Sequence, residues 1–537
     1  MFYKFLLSVI FLFFLKANAQ YFKNEINELL ESSYFRGLIF YPTELMNYTL
    51  KDYSNFFEEL NSKKSLLNNH EKHLLEIYSD FLKGINNNQK LDTLFNFLNF
   101  TKTFLFFRYH DKNFSILINP IYSIEFGKYY NENIFIRRSG FFIFGRLFEN
   151  FSYFVSFDDN YEKGKNLDIT KRYTRESGII ITKSSKNSIE YDNISGGLTY
   201  HWDYGKFSLA KDKIIIGSGN FGNLILSDKY PSFPFINFEF TPVKWFKFFY
   251  LHGILKSNLI DSTSIRYEPL SKRYSMTEIP KYFVLHSISL YPTKELSILL
   301  GESVVYSERF QPIYFIPVLF FRATDHYLAQ NLGSSTGNAQ FFADFSYLIR
   351  VLNSKFYSTL FVDELSITKL LKGKSHIHYG VTTGVEFRNL FFPLDNLVIE
   401  YSRISPFTYN NSVLSQVYST NDIKMGHWIE SNADLLSFSY RFFLRKNLKL
   451  KFDLWSFRKG KTESISEQYS NFYPPTLYGD RRNEFGINLI ANYNFLSNLS
   501  LKLEYLYTNI SDEELERTYK FKEGKKSSLR TSISILF

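Results

Sequence analysis

The most constraining feature of this 537-residue chain is a long series of segments in which apolar and polar side chains alternate with a period of two. The series begins near Thr103. In residues 499–507, the leucines and tyrosines at the odd-numbered positions face one way, and Ser500, Lys502 and Glu504 face the other. Successive strand side chains point to opposite faces, so the pattern predicts strands of about 9–11 residues with one apolar face. Further segments of this kind are 151–157, 397–403, 436–444, 448–454 and 485–493.

Composition narrows the class of protein. The chain has no cysteine, which excludes a disulfide-stapled fold, a thiolate metal site and a thiol nucleophile. Aromatic residues make up 19% of the chain, yet the mean hydropathy is −0.21. This combination suits half-buried strands better than membrane helices. The net charge of +10 favours an anionic partner such as lipopolysaccharide or an acidic glycan.

The N-terminus has the pattern of a secretory signal peptide. Lys4 precedes an apolar run at 5–15, and residues 17–19 read Ala-Asn-Ala, the small-x-small pattern that signal peptidase cleaves. We predict a signal peptide over 1–19 and a mature chain that starts at Gln20. The apolar run is too short to span a bilayer as a helix. Export leaves three locations: the periplasm, the medium and an outer-membrane barrel.

Residues 20–103 show helical rather than strand periodicity. Thr49 with Asp52 matches a capping box, and Asn68 with Glu71 matches a second helix start. The segment therefore predicts a periplasmic bundle of two or three helices. The apolar stripes contain Ile26, Leu29 and Leu30, then Phe56, Phe57 and Leu60, then Leu74, Leu75, Tyr78, Phe81 and Leu82, with Gly84 ending the last helix.

Residues 104–537 are predicted to form an all-β transmembrane outer-membrane barrel. About 24 residues for each strand and its loop gives 16–18 antiparallel strands, with 18 the best value. A secreted β-sandwich would show similar strands, but the last strand alternates and stops on the aromatic Phe537, a pattern that barrel assembly machinery recognises. Short turns are predicted at 393–396, 446–447 and 497–498, and longer polar loops at 460–482 and 524–528.

A glycine run at residues 217–222 matches the spacing of a dinucleotide-binding loop. That loop works only where a helix starts at the second glycine and directs its N-terminus at the pyrophosphate. Residues 223–226 instead read as a strand, and Pro231 and Pro234 follow. Nucleotide binding is therefore rejected.

Two histidine pairs and two acidic pairs could in principle hold a metal ion or serve as acid and base. Neither histidine pair shows a metal-binding motif, and solvated positions explain them better. Neighbours along a strand point to opposite faces, so the acidic pairs fit a barrel rim better than a catalytic site. We predict no catalysis, no cofactor and no metal. The pairs are His70 with His73, His376 with His378, Asp158 with Asp159, and Asp363 with Glu364.

A set of tyrosines and arginines combines aromatic faces with fixed positive charges, which suits sugars that carry acidic groups. The alternative is an interfacial aromatic girdle with charges at the headgroups. The candidate glycan-binding residues are Tyr306, Arg309, Tyr314, Arg322, Tyr469 and Tyr473.

Several short motifs are spread over most of the mature chain. They are residues 29–42, 219–228 (GNFGNLILSD), 231–235 (PSFPF), 250–253 (YLHG), 301–306 (GESVVY), Pro312 with 314–317 (YFIP), and 361–364 (FVDE). Together these motifs resemble the Wzi-type capsule assembly family of outer-membrane barrels.

The resemblance implies an 18-stranded barrel behind a small helical bundle, whose outer loops bind capsular polysaccharide and help to anchor it without enzymatic turnover. It also implies that the glycine run is a tight strand-to-loop passage near a barrel rim. A porin with an open polar lumen is the main alternative, and a lipid hydrolase the third.

Overall fold

A computed structural model describes most of the chain from Gln20 onwards. The predicted signal peptide, Tyr469, Tyr473, Phe537 and the turn at 497–498 lie outside the described residues. The described ranges are 20–86, 106–111, 113–270, 272–332, 337–363, 377–462, 464, 467, 474–496 and 499–535.

Eighteen antiparallel strands form a closed barrel, in which each strand pairs with the next and the last pairs with the first. The predicted fold class and the strand number of 18 are confirmed. Residues 107–110 and 181–185 add short pairings to the first and fourth strands. The strands are β1 (Phe114–Tyr129), β2 (Glu132–Leu147), β3 (Phe151–Gly164), β4 (Ser188–Trp202), β5 (Gly205–Asp212), β6 (Phe233–Val243), β7 (Phe246–Leu255), β8 (Lys281–Leu290), β9 (Leu296–Ser307), β10 (Asn338–Ile349), β11 (Ser354–Asp363), β12 (His378–Arg388), β13 (Asn396–Ile404), β14 (Ala433–Arg445), β15 (Leu448–Lys459), β16 (Arg482–Leu496), β17 (Leu499–Asp512) and β18 (Gly524–Ile535).

The two ends of the barrel differ in the length of their connections. One end has short turns throughout, from 148–150 to 446–447, and we call it the inner end. The other end, the outer end, carries the long connections, with 130–131 as a short exception. The predicted loop at 524–528 is wrong. These residues form the start of β18 and pair with β17, and the connection is 513–523. The start of β18 extends beyond the apolar part of the wall, so both of its faces can carry polar side chains.

The wall has a polar inner face and an apolar outer face. On β17, Ser500, Glu504 and Thr508 point inward and are buried, whereas Leu503 and Tyr505 point outward with 46% and 40% of their surface exposed. A water-soluble barrel would reverse this arrangement, and apolar residues directed outward are what acyl chains favour. None of the helices in the described residues is long and apolar enough to cross a membrane.

Leu489, in the middle of β16, tests the orientation of this wall, since its side chain points outward and is 43% exposed. Replacing Leu489→Lys in vesicle-reconstituted protein is expected to lower the free energy of unfolding by about 2–4 kcal/mol, because a cation would face acyl chains. Urea unfolding measures the change. The control Leu515→Lys, in the 513–523 connection, should change little. Equal stability of both variants would contradict a lipid-facing wall.

Three helices close the inner end: α1 (Gln20–Phe35), α2 (Leu50–Ser62) and α3 (Asn69–Asn86). The predicted capping box at Thr49 and Asp52 is confirmed, and Asn68 accepts hydrogen bonds from two amides at the start of α3. The predicted end at Gly84 is wrong, because α3 continues to Asn86, and glycine weakens a helix by about 1 kcal/mol without ending it. Leu30, Leu60 and Leu75 of the bundle share one apolar core with Phe144, Leu348, Leu394 and Phe443 of the barrel.

A salt bridge links the start of α2 to the barrel wall. Lys206 Nζ lies 2.8 Å from Asp52 Oδ2, which also accepts a hydrogen bond from the Thr49 amide at 2.7 Å. Burial alone raises the pKa of Asp52, but the Lys206 charge and these hydrogen bonds outweigh it and lower the pKa to about 2.

This depressed pKa predicts acid sensitivity at the inner end. The Asp52 carboxylate contributes stability above its ordinary pKa near 4, and this contribution of about 2 kcal/mol disappears as the pH falls through 2. Urea-unfolding midpoints measured from pH 5 to pH 2 should therefore drop more steeply in the native protein than in Asp52→Asn. Parallel pH profiles would show that the pair does not anchor α2.

Candidate functional site

The lumen contains the connection between β5 and β6, residues 213–232, which we call the plug. Residues Ile215–Ile216 of the plug pair antiparallel with Leu45–Met46, the segment between α1 and α2. The Gly217 amide also donates to the Glu44 carbonyl at 2.8 Å. An outer connection and the N-terminal segment therefore meet inside the barrel.

Two buried carboxylates of the wall hold the plug at half height. Asp344 of β10 accepts from the Ser218 amide at 2.9 Å and from its hydroxyl at 2.5 Å. Glu400 of β13 accepts from the amides of Asn220 and Phe221 at 2.6 and 3.0 Å. Both carboxylates also accept a wall hydroxyl, from Thr359 and Tyr357 respectively.

The glycine run lies in this plug, so its expected place near a rim is wrong. Asp344 and Glu400 hold it in mid-lumen. A Cβ on Gly219 would lie 2.1 Å from the Gly222 carbonyl oxygen, and Gly217 has a φ of +123°, so the turn requires glycine at both positions. The strand expected at 223–226 is also wrong, since an isolated bridge from Leu226 to Ile216 replaces it. No helix follows the glycines at 220–232, which removes the geometry for nucleotide binding.

Aromatic residues of the connection 405–432 complete the plug. The Tyr409 and Tyr418 hydroxyls each donate at 2.8 Å to a plug carbonyl, those of Leu224 and Ile225, and the Trp428 indole donates to a third. The side chains form one buried apolar cluster with wall residues such as Phe249, Phe361 and Leu435. A solute that crossed the barrel would have to displace this packed cluster.

Lys229 ties the plug to the outer connection 165–187. Its ammonium donates to the carbonyls of Lys171, Thr174 and Glu176 at 2.6, 3.0 and 2.6 Å. Burial lowers the pKa of Lys229 to about 8, although nearby acidic groups favour its charge. Lys171 in turn lies 3.0 Å from Glu162 of β3. The outer connections are therefore joined to one another and to the wall.

A cleft of about 300 Å³ opens at the outer mouth between connections 256–280 and 405–432. Lys424 donates to the Asn410 side chain at 2.6 Å, and Asn258 donates to Asp422 at 2.6 Å. Amide, carboxylate and ammonium groups beside an apolar wall can hydrogen-bond the hydroxyls of a sugar and cover its ring. The lining residues are Ser257, Leu259, Phe407, Asn410, Asn411, Leu414, Val417, Ser419, Asp422, Lys424 and Ser464.

The predicted glycan residues occupy a different place. Tyr306 and Tyr314 come together with ring centroids 4.8 Å apart, but both are buried where the connection at 308–332, which contains Tyr314, packs on the outward face of the wall. Arg309 follows Tyr306 at the outer end of that wall, and Arg322 lies 3.7 Å from Asp325 in the same connection. Tyr469 and Tyr473 lie outside the described residues. Their predicted role in glycan binding stays a prediction.

The mouth cleft was missed because three separate connections build it. The adjacent Asn410 and Asn411, in the 28-residue stretch 405–432, were the available signal.

The acidic and histidine pairs lie partly within the described residues, and Glu364 and His376 lie outside them. Asp158 points inward to Asn160 at 2.7 Å, whereas Asp159 points outward to Arg137 at 3.0 Å, which confirms the opposite-face interpretation. The expected rim position is wrong for this pair, because both residues lie in the middle of β3. His378 was expected to be solvated, but it is buried, because the connection 405–432 folds over it and supplies the Pro406 carbonyl at 3.0 Å. Among the described residues, no group of three histidine or acidic side chains could hold a metal ion.

The fold and its apolar exterior define a class: a closed 18-stranded barrel of the outer-membrane type. No family model matches the sequence, and no curated protein matches it.

The chain is similar to solved structures of outer-membrane barrels. One is Wzi, an outer-membrane protein involved in group 1 capsule assembly in Escherichia coli and a carbohydrate-binding β-barrel. The two sequences are 10% identical, the match covers 98% of this chain and 99% of that chain, and the TM-score is 0.57. OprD of Pseudomonas aeruginosa is also similar, at 10% identity, 78% and 92% coverage and a TM-score of 0.41. The chain therefore has a Wzi-like fold.

Proposed function

We propose that this protein is a Wzi-type barrel of the Gram-negative outer membrane that binds capsular or other surface polysaccharide at its outer mouth and helps to anchor or assemble it, without catalysis. The proposal includes cleavage after residue 19, a periplasmic bundle over 20–103 and a barrel over 104–537. Its other partners are outer-membrane lipid, lipopolysaccharide and, through the strand ending at Phe537, the barrel assembly machinery.

The plug is the observation that carries this proposal. A porin requires a water-filled path, whereas the plug places Leu224, Ile225 and Leu226, all fully buried, in the middle of the lumen. The bundle closes the inner end independently, through its core with Phe443 and Leu394. Ligand chemistry is then confined to the outer connections, where the mouth cleft supplies sugar-compatible groups.

Deletion of the gene tests the role in the cell. The expected result is release of surface polysaccharide into the medium while its synthesis continues, and unchanged retention on cells would contradict the proposal. Purified protein in a planar bilayer should conduct no more than the bare membrane. Steady ion conductance would instead favour the porin alternative.

The mouth cleft is tested by direct binding. The double substitution Asp422→Asn and Lys424→Met should weaken binding of polysaccharide extracted from the producing cells by about tenfold, or about 1.4 kcal/mol. Isothermal titration calorimetry measures the affinity. Asp261→Asn, which removes another exposed carboxylate from the same end of the barrel, serves as the matched control. Equal affinity in both variants would place the glycan elsewhere.

A further inference from the structure

The connection between β9 and β10 folds back over the outside of the barrel. We call its residues 308–332 the outer strap. It contains a single turn of 3-10 helix, Pro312–Phe315, and the helix α4 (Phe321–Leu332). The Tyr250 hydroxyl of β7 donates to the Tyr314 carbonyl at 2.8 Å, although Tyr250 points away from the lumen. The strap therefore lies against the exterior of β7–β10.

Beneath the strap the exterior of the wall carries polar side chains. Glu302 of β9 accepts from the amides of Phe321 and Arg322 at 2.5 and 3.3 Å and so binds the start of α4. His286 of β8 lies 3.1 Å from Glu302 and 2.8 Å from the Pro317 carbonyl. Glu302 is buried by the strap, so the polar patch is covered.

The polar patch lies at the level of the apolar belt. Glu302 is near the middle of β9, and its pairing row continues to Phe341 of β10 in one direction. In the other direction the row passes through His286 and Tyr250 to Phe238 and Phe207, all of them directed outward. Phe207 is 42% exposed, as a lipid-facing residue would be. The strap therefore descends from the outer rim into the height of the belt.

The outward side of the strap is apolar over residues 315–320, whereas the exposed residues of α4 are Ala323, His326, Tyr327 and Gln330. Phe315 and Ile316 are 45% and 48% exposed, Val318 is 77% exposed, and Phe320 is 56% exposed. The side that faces the wall is buried, with Tyr314, Phe321 and Leu328 in one cluster with Val284 and Val304. Residues 315–320 of the strap thus present an apolar outward side, and the strap encloses the polar groups between itself and the wall.

We infer that residues 315–320 of the outer strap are immersed in the outer leaflet of the membrane, with Phe315, Ile316, Val318 and Phe320 against lipid acyl chains. The inference rests on the proposed outer-membrane location. Continuity with the apolar belt identifies the occupant as lipid, because polar side chains at belt height would otherwise face acyl chains, which is unfavourable. The strap covers these polar side chains and presents its own apolar side chains to the acyl chains instead.

The chain has no native cysteine, so single cysteine variants can be spin-labelled without removing others. Val318→Cys is labelled in full-length protein reconstituted in phospholipid vesicles. Leu489→Cys on β16 reports on the belt, and Leu515→Cys, 90% exposed in the connection 513–523, reports on water. Relaxation by dissolved oxygen reports contact with lipid, and relaxation by a water-soluble nickel complex reports contact with water.

The expected result is that Val318→Cys behaves like Leu489→Cys, with strong relaxation by oxygen and loss of relaxation by nickel. Nickel relaxation at Val318→Cys with a lipid-like Leu489→Cys would overturn the immersed strap and leave the membrane barrel intact. Water-like behaviour at both positions would overturn the barrel location as well. Spin–spin broadening at Val318→Cys that disappears on dilution with unlabelled protein would identify a second copy as the occupant and overturn the lipid assignment.

Discussion

Replacing both carboxylates that hold the plug, Asp344→Ala with Glu400→Ala, is expected to lower the free energy of unfolding by about 3–6 kcal/mol. Three amides and three hydroxyls donate to these two side chains, and all six donors would lose their acceptor. Leaving a buried donor unpaired costs about 1–3 kcal/mol, and water that enters the space left by the carboxylates recovers part of that cost.

Urea unfolding in vesicles measures this loss, and limited proteolysis reports whether the plug becomes cleavable. Thr382→Ala is the matched control, since it removes a single inward hydroxyl contact, to Ser402 at 2.8 Å, on neighbouring strands. That variant should lose about 1 kcal/mol and keep the plug resistant. A double variant as stable and as resistant as the control would show that apolar packing alone holds the plug.

The second large effect is expected at Arg388, at the end of β12 beside the bundle. Its guanidinium is buried, lies 2.7 Å from Glu386 and also contacts Glu31 of α1. Lys355 approaches Glu386 at 3.0 Å. Replacing Arg388→Met should cost about 3–5 kcal/mol, because it leaves Glu386 and Glu31 with too little positive charge.

Arg350→Met is the matched control at the same inner end. Arg350 pairs with Glu295 at 2.6 Å, but both side chains are about one-third exposed, so the loss should be about 0–1 kcal/mol. Calorimetry or urea unfolding distinguishes the two variants. Equal losses would mean that water reaches the Arg388 cluster and screens it.

The wall of the barrel was predictable because its two faces meet different surroundings. A strand between lipid and a polar lumen must alternate, and residues 499–505 and 436–442 do so without interruption. The helices were predictable for a similar reason, since Thr49 with Asp52 and Asn68 with Glu71 act locally. The errors at Gly84 and at 524–528 arise where local preference is weak and tertiary pairing decides.

The plug and the mouth cleft were not predictable because distant residues build them. Ser218 and Asp344 are 126 residues apart, and Asn220 and Glu400 are 180 apart. Within its own strand each carboxylate resembles any inward polar residue. The apolar triplet at 224–226 fits a strand equally well, and only its burial against Tyr409 and Tyr418 separates the two interpretations.

Tyr306 and Tyr314 show the same limit in another form. Their aromatic character was visible, but the side of the wall on which they lie depends on the fold-back of the strap. The Tyr306 hydroxyl is hydrogen-bonded to His252 at 2.9 Å on the outward face of the wall. A pattern of tyrosines and arginines that is compatible with sugar contact therefore also fits a covered patch on the exterior.

The pairing of Leu45–Met46 with Ile215–Ile216 links the folding of the N-terminal segment to that of the barrel. The wall segments on both sides of the plug, β1–β5 and β6–β18, must curl around a piece of chain that precedes them all. Closure of the seam between β18 and β1 encloses this early segment together with the plug. We therefore expect docking of the N-terminal segment and closure of the barrel to be coupled during folding.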